Sequence, residues 1–264
     1  MSDIITDAQL LQQFAEKISE EPAPKIKTRA PSESEVDLPG GFIDLKGELH
    51  TSAEVRELTG ADEEAVAKSG SSGKALNVLL ARGLVKLGDK EATADDLDML
   101  LSGDRDAILL GIRRVTFGQT STLMVKCFSC QDEHETTIDL VEDVPVVRLK
   151  DPVGDRVWVM DTKQGQVTVA LPNGITQKRL MENYDKTSAE INTLLLSGCI
   201  VSINGEPSVG AGTALSLGMA DRTRVIDEII KRNPGPRLGE VKKACKACGE
   251  DISLPLSLLD LFRI

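Results

Sequence analysis

Residues 121–140, STLMVKCFSCQDEHETTIDL, alternate apolar and polar side chains on both sides of a C-x-x-C pair. Residues 240–256, EVKKACKACGEDISLPL, do so more loosely around a second pair. Alternation with period two, interrupted by a short polar turn, is the pattern of two antiparallel strands joined at a tip. Each stretch therefore predicts a hairpin, one carrying Cys127 and Cys130 at its knuckle and the other Cys245 and Cys248.

Working outward from the knuckles, the chain reads as though written twice. GDRDAILLGIRR (103–114) matches ADRTRVIDEIIKR (220–232), with Asp104 on Asp221, Arg105 on Arg222 and Ile112 on Ile229, an offset of 117 positions. The cysteine pairs follow at an offset of 118. Upstream, NVLLARGLVKLGD (77–89) resembles NTLLLSGCIVSINGE (192–206). The identities are few, and the force of the repeat lies in its order: helix into strand, capped helix, strand, C-x-x-C, strand. Asp104 and Asp221 are expected to be N-caps. RVWVMDTKQGQVTVALP (156–172) is a further hairpin candidate.

The predicted fold is α+β: two duplicated small lobes, residues 47–150 and 151–264, each ending in a knuckle hairpin. Before them, residues 1–46 are expected to form an arm. Within it, 7–19 place Leu10, Leu11, Phe14 and Ile18 at helical spacing, and the Pro-, Ser- and charge-rich stretch that follows reads as an extended linker.

Two C-x-x-C knuckles supply four thiolates, which zinc accepts at the corners of a tetrahedron. The 114 residues between Cys130 and Cys245 are far more than a compact zinc ribbon has. If each copy ends in one knuckle, however, a pseudo-twofold brings the knuckles together. One Zn2+ per chain, held by Cys127, Cys130, Cys245 and Cys248, would then clamp the lobes. Lys126, Lys242, Lys243 and Lys246 are expected to offset the charge of the thiolates. Three other readings stay open: a redox dithiol in each pair, a local site of Cys127, Cys130 and His134, or reduced thiols with no metal. Cys199, in an apolar run, reads as a buried free thiol.

A net charge of −11 argues against a nucleic-acid or anionic-membrane surface, because phosphate binding needs a basic face. No apolar run reaches the length of a membrane span, and the start lacks the pattern of a signal peptide. His50 and His134, the two histidines, accompany no nucleophile motif. A four-thiolate site leaves no open metal position, so no enzymatic activity is expected. GAGTALSLG (210–218) reads as a flexible loop rather than a dinucleotide-binding turn. The apolar tail SLPLSLLDLFRI (253–264) must be covered, by its own core or by another subunit.

Together, EVRELTGADEEAV (54–66), SGDRDAILLGIRRVTFG (102–118), VKCFSCQDEHETTIDL (125–140) and KACKACGEDISLPLSLLDLFRI (243–264) resemble the zinc-binding baseplate proteins of tailed phages, related to the T4-type baseplate hub assembly family. The resemblance covers residues 45–264 and leaves out the arm. Phe128 and Gln131 depart from it, standing where such knuckles often carry Pro and Gly. It implies a structural or assembly component of a phage-type tail baseplate or hub, or of a related contractile injection machine. The partners implied are other tail proteins, with no nucleic acid, membrane or small-molecule substrate. The place implied is the host cytoplasm during assembly and the virion tail if the protein is retained. A chaperone absent from the finished particle is the alternative. A zinc-ribbon nucleic-acid adaptor is disfavoured by the charge and the scarcity of aromatic residues.

Overall fold

The computed structural model describes residues 34–264 except Tyr184, Val209, Pro255, Arg263 and Ile264. The expected helix at 7–19 and the first part of the linker lie outside these residues. Strand β1 (Glu35–Ile43) pairs with β2 (Leu49–Val55), and two helices follow, α1 (Gly60–Ala67) and α2 (Ser72–Gly83). The hairpin β3 (Leu84–Leu87) and β4 (Lys90–Glu91) completes a four-stranded antiparallel sheet in sequential order. Helices α3 (Ala94–Met99) and α4 (Ser102–Phe117) lead to the hairpin β5 (Thr120–Lys126) and β6 (Glu133–Asp139).

After a short β7 (Val146–Val147) the same order of elements runs again. The hairpin β8 (Val157–Thr162) and β9 (Gly165–Ala170) precedes α5 (Gly174–Glu182) and α6 (Ser188–Cys199). Then come β10 (Ile200–Ile203) and β11 (Glu206–Pro207), closing a second four-stranded sheet in sequential order. Helices α7 (Gly210–Ser216) and α8 (Met219–Arg232) follow. A two-residue β12 (Gly235–Pro236), paired with β7, leads to the hairpin β13 (Lys242–Ala244) and β14 (Asp251–Ser253). The last helix is α9 (Leu258–Phe262). The fold is thus mixed α and β, with nine helices among the described residues and several small antiparallel sheets.

Three apolar clusters hold these elements. One lies between the first sheet, α2 and α4, around Phe42, Leu80, Ile108 and Ile112. Another lies between the second sheet, α6 and α8, around Val167, Val169, Leu196 and Val225. The third joins the two knuckle hairpins through Val125, Ile138, Val241 and Ile252. The C-terminal tail is covered by its own chain: Leu258 and Phe262 enter the first cluster, and Leu254, Leu256 and Leu261 the third. Cys199 is fully buried, and burial pushes its thiol up to about 12.

Several expectations are corrected. Within the arm expected over 1–46, Glu35–Ile43 is a strand of the first sheet with Val36, Leu38 and Phe42 buried. The Pro39-Gly40-Gly41 run that reads as linker is the site of a bulge, where the register shifts between Asp37 and Phe42. Gly41 has φ +71°, and a Cβ on Gly40 would fall 2.6 Å from Leu101 and 2.8 Å from Asp104. Within GAGTALSLG, residues 210–216 form the helix α7 rather than a loop, because Ala214 and the following Leu217 are buried in the second cluster and packing overrides poor glycine propensity.

Asp104 and Asp221 are not caps. The N-cap positions of α4 and α8 are Leu101 and Gly218, three residues earlier. Each aspartate instead accepts an amide from the hairpin that opens its half. Gly40 N–H donates to Asp104 Oδ1 at 2.7 Å, and Lys163 N–H to Asp221 Oδ2 at 3.0 Å. The neighbouring arginines also act alike. Arg105 donates to the Leu97 carbonyl and Asn77, and Arg222 to the Ala214 carbonyl and Thr193. Leu97 and Ala214 each stand eight residues before their arginine.

Candidate metal centre

Each knuckle is built by its hairpin. In the first, Cys127 N–H donates to the Asp132 carbonyl at 2.9 Å and Gln131 N–H returns to the Cys127 carbonyl at 2.9 Å. In the second, Cys245 N–H donates to the Glu250 carbonyl at 2.8 Å and Gly249 N–H to the Cys245 carbonyl at 2.9 Å. The strand pairs closing them, Lys126 with Glu133 and Ala244 with Asp251, are offset by the same 118 positions as the cysteines. The residue after each second cysteine takes a left-handed conformation, Gly249 at φ +78° and Gln131 at φ +61°. Gln131 thus does in the first knuckle what glycine does in the second, with its side-chain amide donating to the Phe128 carbonyl at 2.8 Å.

The two tips meet. Cys127 Sγ lies 3.7 Å from Cys248 Sγ, and Cys130 Sγ lies 3.7 Å from Cys245 Sγ. All four sulfurs fall within 4.8 Å of one another. Exchanging the knuckles carries one 3.7 Å pair onto the other, so the sulfur arrangement has local twofold character. A disulfide would need about 2.05 Å, and all five cysteines are free. Four ligands about 2.3 Å from a tetrahedral zinc stand about 3.8 Å apart, close to the spacing observed. Cys127 and Cys245 are buried in the third apolar cluster, whereas Cys130 and Cys248 are exposed. The site is walled by core on one side and reaches solvent on the other.

Electrostatics set the site up for a cation. The Cys130 amide, then that of Ser129, hold the Cys127 thiol down at about 6. At Cys130 the Asp132 amide favours the thiolate. It is outweighed by burial and the neighbouring sulfurs, which push the thiol up to about 12. One charge at this spacing opposes the next, so full ionisation of the cluster calls for a positive ion at its centre. Three of the four lysines expected to offset this charge are otherwise engaged. Lys126 pairs with Glu133 at 3.5 Å and Lys243 with Asp143 at 2.6 Å, and Lys246 donates to the Glu135 carbonyl of the opposite hairpin.

His134 falls beside the cluster, not in it. Its Nδ1 is 3.0 Å from Asp132, and it groups with Asp132 and Cys245. Sequence reasoning missed a further set, Asp44, Glu48 and His50, whose ligating atoms also lie within 4.8 Å. Asp44 there closes the β1–β2 turn, accepting amides from Lys46 at 2.8 Å and Glu48 at 2.9 Å. Its spacing D-x-x-x-E-x-H was the available signal.

A family model described as T4 bacteriophage base plate protein matches residues 34–216. The chain belongs to that family. Membership gives it a structural or assembly role in a phage baseplate. The match opens at β1, earlier than residue 45, in keeping with the first sheet containing that strand. It takes in the first knuckle of this base plate protein and ends before α8 and the second, so Cys245 and Cys248 lie outside it. Neither the curated proteins nor the solved structures contain a match. No helix among the described residues is long and apolar enough to cross a membrane.

Proposed function

We propose that the chain is a metal-braced, non-catalytic scaffold of a phage-type tail baseplate, a building block that holds other tail proteins together. One Zn2+ per chain, bound by Cys127, Cys130, Cys245 and Cys248, locks two duplicated lobes, and the division at residues 150 and 151 separates them. The observation that carries this reading is the pair of 3.7 Å sulfur contacts between knuckles more than a hundred residues apart. The repeated order of elements and the matching roles of Asp104 with Asp221, and Arg105 with Arg222, support duplication. Four thiolates fill a tetrahedral zinc and leave no place for a reacting water, which fits bracing rather than hydrolysis.

The protein would be made in the host cytoplasm and carried into the virion tail. Purified tails probed with an antibody to the chain test this: signal in finished particles is expected. Signal confined to assembly intermediates would instead make it a chaperone of hub assembly.

A further inference from the structure

Two helix starts meet at the seam between the two halves. Ser102 N–H donates to the Pro172 carbonyl and Gly174 N–H to the Leu100 carbonyl, each at 2.9 Å. These bonds lay Leu101, the cap of α4, against Asn173, the cap of α5. Four residues beyond the caps, Arg105 Nε donates to Gln177 Oε1 at 2.6 Å. Gln177 in turn donates to Asp106 at 2.8 Å.

Each partner in this seam has a counterpart in the other half. Gly218 caps α8 as Leu101 caps α4, and Thr59 caps α1 as Asn173 caps α5. Four residues beyond those caps stand Arg222 and Glu63. Arg222 spends Nη1 and Nη2 within its own half, just as Arg105 does, and the atom that in Arg105 reaches Gln177 is Nε. Glu63, in the place of Gln177, is exposed and offers a carboxylate where the internal seam offers an amide oxygen.

The surroundings of this second pair are apolar on both sides. Met219 is 87% exposed and Leu215 65%. Glu63 borders a groove of about 420 Å3 lined by Leu58, Val66, Ala67, Phe117 and Phe262. An arginine flanked by apolar knobs at one end thus matches a carboxylate beside an apolar groove at the other.

We propose that copies of this chain join head to tail, with Arg222, Leu215 and Met219 of one copy seated on Glu63 and the α1 groove of the next. The contact pairs, between molecules, the helix starts whose counterparts meet within one, and it rests on the duplicated-lobe reading. Because the two surfaces differ, the contact is heterologous, and it propagates into a ring or a filament according to the rotation per step.

Sedimentation velocity on the full chain, over a series of concentrations, tests this. The unaltered chain should form dimers and larger species as concentration rises. Glu63→Arg, Arg222→Glu and Met219→Asp should each weaken association about tenfold or more, roughly 1.4 kcal/mol. An equimolar mixture of Glu63→Arg and Arg222→Glu should recover association beyond the dimer, because every junction between unlike copies joins opposite charges, in the native order at one and exchanged at the next. Met219 is a surface residue, so its variant decides the matter should Arg222→Glu disturb the fold. A chain that stays monomeric throughout, association unmoved by Glu63→Arg and Met219→Asp, or a mixture no more associated than either variant alone would each overturn the proposal. Zinc content measured on the same samples separates the two readings. A monomer holding one zinc ends the self-association and leaves the braced lobes standing. Two zincs per chain would end the shared site itself.

Discussion

Gln131 and Gly249 hold the same left-handed position in two knuckles of the same geometry, and only one of them is a glycine. An L side chain in that region costs roughly 1–2 kcal/mol. Gly249→Ala should therefore lower unfolding free energy by about 1 kcal/mol. Gln131→Gly should raise it by a smaller amount, because the Gln131 bond to Phe128 is lost. Denaturant titration of the metal-loaded protein checks both, and a stabilising Gly249→Ala would contradict the geometry. A second residue-scale expectation concerns Asp104. Burial pushes its carboxyl up to about 7, against the opposing pull of the Gly40 amide and Arg156. In the unfolded chain it titrates near about 3.9. Between those values the folded state keeps a proton that the unfolded chain has released. The stabilisation from this group is whole below the unfolded value and is lost as pH rises toward 7. Relative to the parent, Asp104→Asn should gain stability steadily across that window. Parallel curves of unfolding free energy against pH would refute this.

At the scale of the element, the two Asp-Arg helix starts work as latches, with the aspartate holding a hairpin and the arginine holding the preceding helices. Arg105 is buried and also reaches Gln177 across the seam, whereas Arg222 is half-buried and stays within its half. Arg105→Ala strands several buried acceptors and should cost about 3 kcal/mol or more. Arg222→Ala should cost clearly less. Equal losses in denaturant unfolding would show that the seam bond adds nothing. These latches also mark what could be read from the chain. The hairpins 120–139 and 157–170 were legible because alternation is a local signal, and the Asp-Arg repeat was visible as a pattern. Its role was not, because the bonds run to Gly40 and Lys163, about sixty residues away. The same holds for β1, where Pro39-Gly40-Gly41 imitates a linker and burial alone reveals a strand. In α7, the glycines at 210 and 212 hide a helix that packing imposes.

For the whole molecule, the two cysteine knuckles were legible as hairpin tips, because C-x-x-C between alternating stretches is a local signal. Their meeting was legible only through the repeat, since nothing in 114 intervening residues specifies it locally. The proposed metal brace depends on that meeting. Structural zinc contributes apparent binding free energies of about 10–16 kcal/mol at neutral pH, enough to decide whether two small lobes hold one arrangement. Acid should release the metal as the thiols regain protons, and chelation should lower the unfolding temperature. The most direct measurement is the zinc content of the natively purified chain, by elemental mass spectrometry, beside Cys130→Ser and Cys248→Ser. One zinc per chain, lost from either variant although they alter different knuckles, is the predicted result. Two zincs per chain, or zinc retained in full by one of the variants, would contradict a centre shared between the halves.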